Sequence, residues 1–119
     1  MFAAKEQGEP FVARDGALIF ELFRHIKGAI KNLSIAVGYL KARQKALPHY
    51  HETSEEIYYV LCGCGKVRVG DAVIKIKRAE AVYIPPNTVH ALENTSYFRE
   101  MKVLAVCSPT YSDSDIFFI

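Results

Sequence analysis

The sequence predicts an all-β domain, an antiparallel sandwich or barrel, on three observations. From residue 33 onward, short β-prone runs follow one another with turn residues between them. Helical periodicity is scarce over the same stretch. Half of the 119 residues are hydrophobic, so one domain of this length can close a core without disulfides or other staples.

The elements follow in chain order. Leu18-Ile19-Phe20-Glu21-Leu22-Phe23 reads as a strand or an amphipathic turn of helix, and the β character of the rest favours a strand. Ser34 to Leu40 is apolar and partly β-branched, and Ile57-Tyr58-Tyr59-Val60-Leu61 is strongly β-prone, ended by Gly63 and Gly65. Lys66 to Val69 and Val73 to Lys77 flank Gly70-Asp71 as the arms of a hairpin, with Ile74 and Ile76 on one face of the second arm. Ala81 to Ile84 runs into the turn Pro85-Pro86-Asn87, and Val89 to Glu93 and Met101 to Val106 complete the set. The tail Ile116-Phe117-Phe118-Ile119 is too apolar to stand in water. Burial of each such side chain is worth about 1.5–3 kcal/mol, so the tail is expected on the sheet or on a second subunit.

Composition narrows the partners. Fifteen basic against thirteen acidic residues leave +2, without the dense cationic face that nucleic acid requires. Lys66, Arg68, Lys75, Lys77 and Arg78 cluster on the hairpin, but no aromatic residues interleave with them, so a solvated face is expected there. No apolar run is long enough to span a membrane as a helix, and the first residues lack the apolar core of a secretory leader. Cys62, Cys64 and Cys107 are odd in number and not spaced as CxxC, so they are expected to be free thiols of a cytoplasmic protein.

The chemistry gathers on the histidines. His49-Tyr50-His51 on an extended strand puts two imidazoles on one face, about 7 Å apart at Cα. Two such rings converge readily on one cation at about 2.1 Å. After the turn Glu52-Thr53-Ser54-Glu55, Glu56 opens a strand expected to pair beside the histidine segment and to offer a carboxylate. Glu56, Tyr58 and Val60 share a face, with Glu55 pointing away. The turn at Pro85 delivers His90 at a strand start, on one face with Leu92 and Asn94. Three imidazoles and a carboxylate suit Fe, Mn, Ni, Cu or Zn as one divalent ion, with positions left open on an octahedral metal. His25 stands apart from this group and is expected to be structural or exposed.

These residues resemble the two motifs of the cupin superfamily, in its small single-domain form. The first motif, G-x5-H-x-H-x3,4-E-x6-G, finds His49, His51, Glu56 and Gly63 in place; the second, G-x5-P-x-G-x2-H-x3-N, finds Pro85, His90 and Asn94. Three motif glycines are replaced, by Arg43, Ala79 and Asn87. Asn tolerates a left-handed backbone at little cost, whereas Ala79 would cost about 1 kcal/mol if its φ is positive. Arg43 places a cation near the expected barrel mouth, either to meet an anionic ligand or as a solvated side chain.

The resemblance implies a cupin double-stranded β-helix, a jelly-roll barrel of two antiparallel sheets over about residues 33–107 of one domain spanning 1–119. His49, His51, Glu56 and His90 would be the metal ligands in its lumen. It also implies a homodimer, with terminal strands and the apolar tail as candidate interface. The function it suggests is a metal-dependent enzyme, of isomerase, oxygenase or lyase type, acting on a sugar or a small carboxylate or carbonyl substrate. Similarity to the mannose-6-phosphate-isomerase-like group belongs to the same reading. The alternative is a non-catalytic cupin that binds a small molecule such as a sugar; a third, a purely structural dimer, sits poorly with an intact ligand set. Tyr58 and Tyr83 are the candidates for proton transfer, Tyr58 equally suited to packing the wall, and a sugar phosphate would need Arg43 or Lys41 near the mouth.

Overall fold

The computed structural model describes residues 5–6, 9–23, 30 and 32–119. His25 lies outside them. The regular structure of the described residues is nearly all strand: β1 (Phe11–Val12), β2 (Leu18–Phe23), β3 (Ser34–Leu40), β4 (His49–Tyr50), β5 (Glu55–Cys62), β6 (Cys64–Val69), β7 (Ala72–Lys77), β8 (Ala81–Ile84), β9 (His90–Asn94), β10 (Met101–Ser108) and β11 (Phe117–Phe118). A single 3-10 turn, Asp113–Asp115, precedes β11.

The strands form two antiparallel sheets. One has the order β1-β2-β3-β10-β5-β8 and the other β11-β4-β9-β6-β7. Their inner faces meet in a core that includes Leu40, Val60, Val67, Ile84 and Met101, each at most 1% exposed. Alternation selects these residues. In β5, Glu56, Tyr58 and Val60 are buried while Glu55, Ile57 and Tyr59 face out. The hairpin β6–β7 turns at Gly70-Asp71 as expected, with Val69 paired to Ala72. Its outer arm is a sheet edge and carries Lys75 and Lys77, charges that discourage edge-to-edge pairing.

Two details depart from the expected punctuation. Gly63 closes β5, but Gly65 lies inside β6, where a Cβ would run into the Glu93 carbonyl of the neighbouring strand β9. Close approach, rather than a turn, explains that glycine. Most of the apolar tail packs on its own sheet: Phe117 and Phe118 pair with Tyr50 and His49, and the Phe117 ring stacks on Tyr50 at 5.3 Å between centroids, while Ile119 stays 73% exposed against expectation.

The three replaced motif glycines are the non-glycine residues with positive φ among the described residues: Arg43 at 64°, Ala79 at 70° and Asn87 at 58°. The turns keep their left-handed geometry despite the substitutions. Each of the three donates its backbone N–H to a carbonyl across the fold: Arg43 to Ser96, Ala79 to Val60 and Asn87 to His51. These bonds hold the conformation that the side chains disfavour.

Candidate metal centre

His49, His51 and His90 come together in the lumen, all buried, with one ligand atom of each within 4.8 Å of the others. Strand pairing accounts for part of this. β4 lies beside β9, and His49 is in register with His90. β4 ends at Tyr50, yet His51 keeps the inward parity of an extended chain and remains buried.

Glu56 reaches the group from the other side. β5 does not pair beside the histidine segment, as the sequence reading expected; it belongs to the six-stranded sheet, opposite β4 and β9. The turn after His51 carries the chain from one sheet to the other, and the carboxylate approaches across the lumen. Its Oε1 lies 3.6 Å from His51 Nε2 and 3.2 Å from His90 Nε2.

The hydrogen bonds orient every ring. Nδ1 of His49 donates to the Leu47 carbonyl at 2.9 Å, that of His51 to the Asp115 carbonyl at 2.6 Å, and that of His90 to the Thr88 carbonyl at 3.0 Å. A carbonyl oxygen only accepts, so each Nδ1 carries the proton and each Nε2 presents its lone pair inward. Glu56 Oε1 and His90 Nε2 are the buried side-chain N and O atoms without a hydrogen-bond partner among the described residues. Two facing lone-pair donors in a dry interior call for a cation or a proton between them. The donor set fits a first-row metal ion, since imidazoles whose second nitrogens are anchored on carbonyls are what such an ion takes.

Electrostatics place a negative charge among the rings. Burial would raise the Glu56 carboxyl, but the facing His51 and His90 imidazoles outweigh it and hold it at about 2, so it is a carboxylate. Burial, and then the neighbouring His90, push the His49 imidazole below its ordinary value. Burial lowers His51 as well, but Glu56 and Asp115 outweigh it and leave the ring raised. Tyr58, edge-on to His90 at 5.9 Å, is pushed well up by burial and by the Glu56 charge, and stays a phenol.

Two contributors carried no signal in the sequence. Cys107, expected to be an inert thiol, is paired in register with Glu56 and donates to its Oε2 at 3.2 Å. Burial and the carboxylate push that thiol's pKa up, so it remains a donor. Asp115 accepts the backbone N–H groups of Glu52 at 2.8 Å and of Thr53 and Ser54 at 3.1 Å, which fastens the turn between His51 and Glu56. Both residues lie more than fifty positions from their partners, beyond the reach of any spacing rule.

Other expectations fall away from the centre. Tyr83 is 52% exposed on the outer face and donates to Glu55 at 2.8 Å, because its parity in β8 opposes that of Val82 and Ile84. Arg43 and Lys41 do not line the cavity beside the histidines. Arg43 instead covers the Tyr97 ring at 4.5 Å and donates to the Thr95 carbonyl, past the Asn94 end of β9 rather than the His90 end.

Two antiparallel sheets enclosing a cluster that could hold a metal define a small jelly-roll barrel of the metal-competent kind. The chain belongs to the cupin family: the profile described as Cupin domain matches residues 37–107. It is 36% identical over 108 residues to an uncharacterized protein of Methanocaldococcus jannaschii, covering 90% of this chain and 85% of that protein. It is 32% identical over 85 residues to the mannose-1-phosphate guanylyltransferase RfbM of Salmonella typhimurium, which is 71% of this chain but 18% of that enzyme. Among solved structures, KdgF from a Halomonas species superposes with a TM-score of 0.80 over 96% of this chain and 97% of that one. At 18% identity that likeness is one of fold.

Proposed function

We propose that His49, His51, Glu56 and His90 hold one divalent first-row transition metal and that the chain is a metal-dependent enzyme acting on a small molecule in the lumen. The observation that carries this reading is the buried, unpartnered pair Glu56 Oε1 and His90 Nε2, facing one another beside His51 Nε2. When bound, such a metal polarises an oxygen of the substrate, a sugar or a small carboxylate or carbonyl compound. The residues of the chain supply the rest. Cys107 holds one oxygen of Glu56 and leaves the other toward the histidines. Tyr58 lines the cavity beside Tyr111 as a protonated phenol and is placed to donate a hydrogen bond to a substrate oxygen. Isomerase, oxygenase and lyase chemistry are all compatible with this arrangement.

A second reading, a non-catalytic small-molecule binder, is favoured by the two tyrosines expected to transfer protons: Tyr83 lies outside, and Tyr58, which lines the cavity, is pushed well above the ordinary phenol range. A cytoplasmic location accords with the unpaired thiols Cys62, Cys64 and Cys107. A homodimer accords with Ile57, Tyr59 and Tyr83 exposed together on the outer face of β5 and β8, and light scattering of the purified chain tests it.

The deciding experiment is the metal content of untagged protein by plasma mass spectrometry, beside His51→Ala. About one Fe, Mn, Ni, Cu or Zn per chain, absent from the variant, is the expected result. A folded wild-type chain that takes up none of them after reconstitution overturns the reading.

A further inference from the structure

The lumen beside the histidines has walls whose chemistry selects a ligand body. A cavity of about 120 Å³ opens next to His49, His51 and Glu56. Room for it comes from small residues on the inner face of the six-stranded sheet. Ala36 is in register with Ala105, Ala105 with Tyr58, and Gly38 with Val103, so between Glu21 on β2 and Tyr58 on β5 the row carries only methyl groups, on β3 and β10. Ala17 and Ala46 line the same space. Farther along the barrel the inner positions are Val60, Val67 and Met101, each fully buried, and they fill the interior. The polar side chains that do reach the cavity beyond the metal group include two carboxylates, Asp15 and Glu21.

Most of this wall is apolar, so a polyhydroxylated body would set more hydroxyls against methyl groups than Asp15 and Glu21 can accept from, and those hydroxyls would lose their bonds to water. A phosphate would face the Asp15 carboxylate. We infer that the ligand of this site is a small carbonyl or hydroxycarbonyl compound with a hydrocarbon body, rather than a sugar or a sugar phosphate. The inference takes its head-group contact from the metal reading above; the choice of body rests on the walls alone.

A matched trio of ligands tests it: 3-hydroxybutan-2-one, 1,3,4-trihydroxybutan-2-one, which adds two hydroxyls to the same skeleton, and the 4-phosphate of the latter. Titration calorimetry on the full chain reconstituted with zinc is expected to rank 3-hydroxybutan-2-one about tenfold tighter than the triol, with the phosphate ester weakest. Ala105→Leu fills the cavity and is expected to lower binding of 3-hydroxybutan-2-one about tenfold while still taking up zinc. Ala36→Val serves the same purpose if the first variant does not fold. Equal or tighter binding of the triol or its phosphate overturns the inference, as does unchanged affinity in a folded, zinc-loaded filling variant. If the wild-type chain takes up no zinc, the metal reading fails by itself. The same ranking on the zinc-free chain then decides the wall assignment: hydrocarbon body first upholds it, and any other order, or no binding, overturns it.

Discussion

His90 and Asn94 stand at opposite ends of one face of β9, and neither has measurable exposure. Asn94 is fully occupied. Its Nδ2 donates to the carbonyls of Leu40 and Lys41 at 3.1 Å and of Arg99 at 2.8 Å, and its Oδ1 accepts from Ser96 N–H at 3.0 Å. His90 is anchored through Nδ1 and leaves Nε2 without a partner, opposite the equally unpartnered Glu56 Oε1. Burial is the same at both ends; satisfaction differs. A buried polar residue with every bond made ties the chain together, whereas one held rigidly with a lone pair unmet is prepared for something from outside.

That contrast breaks most sharply under exchange of the two residues. His90→Ala is expected to abolish metal uptake, from about one ion per chain to a background level, as read by plasma mass spectrometry on folded protein. Asn94→Leu is expected to spare the ligand set but to cost about 3 kcal/mol or more in urea unfolding, because buried carbonyls and an N–H lose their partner together. If His90→Ala destabilises the metal-free chain more than Asn94→Leu does, the division between the two ends is wrong.

Asp115 sharpens the comparison, since it serves the histidine end through structure. Asp115→Ala is expected to lower stability by about 1–3 kcal/mol and to weaken metal affinity about tenfold, measured by denaturation and by competition with a chelator. Burial raises this carboxyl, but the N–H groups of Thr53, Ser54 and Glu52 outweigh it and hold it below its ordinary value. Its contribution is therefore complete above the ordinary carboxylate range and fades as pH falls through its lowered value, so wild type and variant converge in acid. Cys107→Val, similar in size but without a donor, is expected to weaken metal binding by up to about tenfold, with Cys107→Ser retaining it. An unchanged affinity in Cys107→Val would reduce the thiol to packing.

The smallest effect concerns the turns that close both ends. Ala79→Gly is expected to stabilise the chain by about 1 kcal/mol, read as a shift of the unfolding midpoint, because φ is already positive there. The bond from Ala79 N–H to Val60 holds that φ in place, and a loss of stability on substitution would show that the turn relies on the alanine methyl.

The histidine end was the more legible of the two. HxH, the following glutamate and the histidine after the Pro85 turn identified the cluster, because period-two alternation says which side chains share a face. The same rule misjudged Glu56's neighbour: parity gives the face of a strand, never the sheet to which it belongs. It had no purchase on Arg43, whose left-handed backbone was marked by a missing glycine but whose side chain settled on Tyr97. Nor could it find β11, whose Phe118 packs near His49, since two residues carry no periodicity.

By itself the sequence determined the strand faces, the turns and the four polar side chains that point inward, all of which depend on local backbone geometry and on exclusion of apolar groups from water. The tertiary structure alone decided that Cys107 meets Glu56 across 51 residues and that the Asp115 carbonyl fixes His51 across 64. It also decided that small residues on β3 and β10 fall in one row beside the histidines. Those contacts follow from which strands become neighbours and in what register, a choice made by the packing of the whole chain.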